Sequence, residues 1–77
     1  MLEIRPDNDG TYKVVANGHG IVRDIPSQAA ADVLIKHIKA SPVAIDWARY
    51  DGTLWLPEQL ALHQAVQDAQ DEITAAA

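Results

Sequence analysis

Two turn signals near the start of the chain constrain the fold more than anything else in it. Pro6-Asp7-Asn8-Asp9-Gly10 and Asn17-Gly18-His19-Gly20 combine residues that bend a backbone for separate reasons. Proline fixes φ, Asp and Asn bond to nearby backbone, and glycine accepts positive φ. They divide the first 25 residues into three short segments, 2–5, 11–16 and 21–25. Leu2-Glu3-Ile4-Arg5 alternates apolar and charged side chains with period two, as a half-buried strand does. Thr11, Tyr12, Val14 and Val15 favour extended backbone, and Ile21 to Ile25 completes a third strand. With Gly18-His19 at the tip of the second turn, Lys13 faces Asp24 and Val15 faces Val22. Tyr12, Val14 and Ala16 then share a face with Ile21 and Ile25. Arg23 falls on that apolar face, with its stem packed and its head in water.

The period then changes. Ser27 is a good N-cap, and Ala31, Leu34, Ile35 and Ile38 follow at helical spacing. Lys36, His37 and Lys39 crowd the last turn, where cations suit the helix dipole, and Ser41-Pro42 ends the helix. Residues 43–50 alternate (Val43, Ile45 and Trp47 against Ala44, Asp46 and Ala48), and Asp51-Gly52 is a strong hairpin signal. The expectation is a second hairpin over residues 43–56, although Ser41-Pro42 could instead cap a short helix. In the hairpin, Val43, Ile45, Trp47, Leu54 and Leu56 face the core, while Asp46, Ala48, Tyr50, Thr53 and Trp55 face away. Pro57 opens a final helix with a buried stripe of Leu62, Val66, Ala69 and Ile73. The predicted order is β-β-β-α-β-β-α. This is an α+β fold in which two helices pack a small, mainly antiparallel sheet, with residues 1–77 as one domain.

At 77 residues the chain has room for one core only. That core is thin and aliphatic, since there is no Phe and only two Trp and two Tyr. With no cysteine to form a disulfide, self-association or docking on a partner is one way to add burial. No apolar run approaches a membrane span, and Met1-Leu2-Glu3 leads straight into strand-like sequence. The expectation is a cytoplasmic protein that does not engage a membrane.

The charge is uneven. Residues 57–77 hold four acids (Glu58, Asp68, Asp71, Glu72) and no Lys or Arg, whereas the first 56 residues hold seven acids and six bases. Net charges of −4 and −1 make up the total of −5. Six bases against eleven acids do not form the basic patch that nucleic-acid binding uses. Asp7-Asn8-Asp9-Gly10 resembles part of a calcium loop, but no register puts Glu at the twelfth position. His19, His37 and His63 lack zinc spacing, and no cofactor is expected. Asn17-Gly18-His19-Gly20 lacks the following helix of a phosphate loop. The only serines, Ser27 and Ser41, have structural roles, and no carboxylate pair stands in an apolar setting; Asp46 comes closest.

The sequence therefore points to a non-catalytic module that binds a protein with a basic surface. Its candidate contacts are Tyr50 and Trp55 on the outer face of the second hairpin, and Asp68, Asp71 and Glu72 on the last helix. Those acids lie toward the helix C-terminus, where anions oppose the dipole. A homodimer is a further expected partner state. Size and charge suggest a phage or mobile-element inhibitor, anti-CRISPR types included, whose carboxylates occupy a basic nucleic-acid groove. The alternative is a small enzyme or ligand-binding domain, oligomeric, with a pocket lined by Trp47 or Trp55 and Asp46.

Overall fold

A computed structural model describes residues 2–76, with Met1 and Ala77 of the expected domain outside the described residues. Strands β1 (Leu2–Pro6), β2 (Tyr12–Ala16) and β3 (His19–Ile25) form an antiparallel sheet in the order β1-β2-β3. The first turn is a single 3-10 turn, Asn8–Gly10, with Asp9 at φ 57° and Gly10 at φ 77°. It is closed by Asp7 N–H donating to Thr11 O (2.8 Å) and by Thr11 Oγ1 donating to Asn8 O (2.7 Å). The register from Leu2↔Ala16 to Pro6↔Tyr12 sets Ile4 opposite Val14.

The second turn falls one residue earlier than the sequence suggests. Its tip is Asn17-Gly18, both at positive φ (50° and 82°), the pair a tight primed turn requires. Val15 consequently faces Gly20 rather than Val22. Two register shifts then absorb extra β3 residues: the first sets Val14 opposite Val22, and the second leaves Tyr12 opposite Ile25. Asp24 lies in the second irregular stretch at φ 58°, so the expected facing of Lys13 and Asp24 is not a regular ladder pair. Arg23 is exposed, and its Nε lies 3.4 Å from Asp7 Oδ2. That guanidinium holds the Asp7 carboxyl below its usual range.

Helix α1 (Gln28–Lys39) starts as its sequence dictates, with Ser27 Oγ accepting the Ala30 N–H at 3.1 Å. Ala30, Ala31, Leu34 and Ile38 are buried. Together with Val14, Ile25, Ala65 and Ala69 they make the core.

The expected second hairpin does not form. Residues 40–55 are irregular apart from a 3-10 turn at Trp47–Arg49. The reason lies in two aspartates. Asp46 Oδ1 accepts the Ala48 N–H (3.2 Å), and Asp51 Oδ1 accepts both the Thr53 N–H (3.1 Å) and Thr53 Oγ1 (2.6 Å). Such bonds offer the backbone a local partner in place of a strand ladder. Asp51-Gly52 is thus a side-chain-closed turn, with Gly52 at φ 100°.

Helix α2 (Leu56–Ala76) packs on α1, which in turn touches all three strands. Ala65 and Ala69 are its fully buried positions, while Leu62, Val66 and Ile73 are half-buried against the core. Ala30 of α1 and Ala69 of α2 line one crevice between the helices. The architecture is α+β, with a three-stranded antiparallel sheet and two helices. No described helix is long and apolar enough to cross a membrane.

Candidate interaction surface

The start of α2 carries the least expected surface. Trp55 is 80% exposed, Leu56 67% and Leu60 61%. Leu56 and Leu60 are four residues apart and so share one helix face. The backbone beneath them is firmly held. Trp55 O accepts the first helical bond from Gln59 N–H (2.9 Å), Glu58 Oε1 reaches back to the Trp55 N–H (2.9 Å), and Gln59 Nε2 donates to Leu54 O (2.7 Å). This reach of a third-position Glu to the capping residue is half of a capping box. The exposed side chains are therefore displayed from an ordered helix end.

Beside them runs an open groove of about 350 Å³ between α2 and the residue 40–43 turn that follows α1. Its α2 wall is a helical stripe of Pro57, Leu60, Ala61, Gln64, Ala65 and Asp68. From Pro57 to Asp68 the helix rises roughly 16 Å, so the wall passes from apolar to acidic over that length.

The expected contact residues separate in space and in role. Trp55 is exposed, as expected of it. Tyr50 is half-buried and does not face away from Trp47: its ring stands edge-on to Trp47 at 5.4 Å and to His19 at 5.7 Å. The Tyr50 carbonyl also accepts from Asn17 Nδ2 (3.0 Å), tying the irregular segment to the β2–β3 turn. Tyr50 and Trp47 thus belong to one aromatic cluster, because the strand that would have set them on opposite faces is absent.

The three acids divide as well. Glu72 takes two bonds from Lys36 Nζ (2.7 and 2.8 Å) and lies 3.0 Å from His37 Nε2. It clasps α2 to the cationic end of α1. The Lys36 ammonium, then the His37 contact, holds its carboxyl below the usual range. Asp68 is exposed at the acidic end of the groove and accepts from Gln64 Nε2 (2.9 Å). Asp71 is exposed on the same helix.

Leu56 and Leu60 escaped the sequence reading. The alternation over residues 43–56 places Leu56 on the core face of a strand that does not form. Leu60 carried a usable signal: it lies two residues before Leu62, about 200° away from the buried stripe. Asp46, the carboxylate of the alternative reading, is exposed and bonds locally to Ala48 and Arg49 (Nε 3.4 Å). The hollow of about 250 Å³ beside Trp47 is lined by residues such as Ile38, Val43 and Ile45, with no carboxylate. Among the described residues, no three His, Asp or Glu side chains gather as a metal-binding group. No family model, curated protein or solved structure matches the chain.

Proposed function

We propose that the protein is a non-catalytic interaction module that binds a protein partner with a basic surface through the start and outer face of α2. The observation that carries this reading is the exposure of Trp55, Leu56 and Leu60 together on a capped helix end. Contiguous exposed apolar side chains mark interaction sites, and Trp is enriched among the anchors of such sites. The surrounding charge supports a basic partner. Glu58, Asp68 and Asp71 lie on the same helix, which has no Lys or Arg to offset them. Acids of this kind steer a basic partner and raise the association rate. Tyr50 lends support from within the aromatic cluster, and Glu72 acts through the α1–α2 clasp. Occupation of a basic nucleic-acid groove, as by a phage or mobile-element inhibitor, is the setting that size and charge favour.

The test compares capture from a lysate of the source cells by three immobilised proteins: wild type, Trp55→Ser/Leu56→Gln/Leu60→Gln, and Asp68→Lys/Asp71→Lys. The reading expects a stoichiometric protein partner on wild type, lost from the apolar variant. The Lys variant should show a reduced association rate, and salt should weaken wild-type binding. Equal capture by all three would remove α2 as the interface.

A further inference from the structure

We propose that β1 is a self-complementary edge through which two copies of the chain pair as a symmetric dimer; this is independent of the reading of α2. β1 is bonded to β2 on one side only and forms an edge of the sheet. The Asp7 N–H points to Thr11 O on the β2 side. In an antiparallel ladder that direction alternates, so Glu3 and Arg5 also bond toward β2. The backbone groups of Leu2 and Ile4, and the Pro6 carbonyl, point to the open edge.

Three symmetric registers pair at least three residues of each strand. Centring the pair on Glu3 sets acid against acid, and centring it on Arg5 sets base against base. Centring it on Ile4 sets Glu3 opposite Arg5 of the partner subunit twice, once on each side of the axis. These would be non-hydrogen-bonded pairs, the closer kind, where opposite charges help most. Within one chain, Glu3 and Arg5 already bond at 2.8 Å on an exposed face, with side chains 52% and 56% exposed. The same two groups can exchange partners across the axis without uncovering new charge. Leu2 and Ile4 lie on the other face, half-buried against the core, and would be further covered. A strand that reads as its own antiparallel complement selects a second copy over an unrelated strand.

The geometry also closes the assembly. Pro6 lacks an N–H and ends the ladder, which leaves four outward bonds across the axis. The other edge, β3, carries two register shifts and Asp24 at positive φ, features that make a poor template for further pairing. The product is a dimer with a six-stranded sheet, not a fibre.

Sedimentation equilibrium over a range of protein concentrations tests this. Wild type should follow a monomer–dimer equilibrium that salt weakens. Glu3→Arg and Arg5→Glu should each weaken it by about tenfold or more. The double variant Glu3→Arg/Arg5→Glu should recover wild-type affinity to within about threefold, since the exchanged charges again face each other in the same register. Circular dichroism should show all four proteins folded, as both positions are exposed. A wild type that stays monomeric at its highest attainable concentration would overturn the proposal. So would a dimer indifferent to the single variants, or a double variant as weak as either single one.

Discussion

Helix α1 turns Ala30, Ala31, Leu34 and Ile38 inward, has Ser27 at its N-cap and carries Lys36, His37 and Lys39 in its last turn. Helix α2 has 21 residues to the 12 of α1, yet among the described residues it buries only Ala65 and Ala69 of its larger apolar set. It holds Leu56 and Leu60 in water at one end and places acids toward the other. In α1 every conspicuous feature has a structural cause: burial, a cap, or the helix dipole. In α2 some features do and some do not. Glu58 caps, Glu72 clasps α1, and the two alanines let the helices approach. Exposed Leu56 and Leu60, with Trp55 beside them and Asp68 and Asp71 beyond, are left without a role in folding. What stability leaves unexplained is where binding is to be sought.

The largest effect is expected in α1. Leu34→Ala should cost about 2–5 kcal/mol in urea unfolding, because a cavity opens at a buried position shared by sheet and helices. A loss below that range would mean that α1 is not the centre of the core. Gly52→Val comes next, at about 1–3 kcal/mol, since φ 100° strains any residue with a Cβ. The added Cβ itself meets only the His19 ring, at ordinary contact distance (3.6 Å), so the penalty belongs to the backbone. Gly52→Ala should therefore destabilise nearly as much as Gly52→Val, and a large gap between the two would point to crowding instead.

A smaller effect tests the clasp between the helices. The Glu72 carboxyl titrates below its usual range when folded, so the unfolded chain binds its proton first as pH falls. The clasp's contribution is then complete above the ordinary carboxylate range and is lost as pH drops through the folded value. Asp7 and Asp51 are lowered as well, by the bonds from Arg23 and Thr53 respectively, and add to the same acid limb. Glu72→Gln should lower the melting temperature slightly at neutral pH and flatten that limb. An unchanged acid limb would show the Lys36–Glu72 contact to be without thermodynamic weight in solution.

Most of the sheet and all of α1 could be read from the sequence, because turn chemistry and side-chain period agree there. The Ser27 cap does in the structure what that residue type does in general, whereas the second turn has its tip at Asn17-Gly18 instead of the expected Gly18-His19. The second hairpin failed because alternation and Asp-Gly gave a strong strand signal over residues 43–56 that the carboxylates of Asp46 and Asp51 override. Those side chains satisfy the backbone within two residues, and spacing alone does not separate that outcome from a ladder. The same miss hid one of the three apolar residues of the candidate surface. Trp55 was legible as an exposed aromatic, but Leu56 looked like core only while a strand was assumed. The bond of Glu72 to Lys36 spans 36 residues and depends on how the helices dock, which no local pattern encodes.

Urea unfolding of Trp55→Ser/Leu56→Gln/Leu60→Gln distinguishes an apolar start of α2 that is displayed from one that is structural. Gln matches Leu closely in helix propensity, and Ser is the better capping residue, so local helix effects are small. The account predicts an unfolding free energy within about 0.5 kcal/mol of wild type, as for surface positions. A loss on the scale of Leu34→Ala would contradict it and place these three side chains among those that hold the fold together.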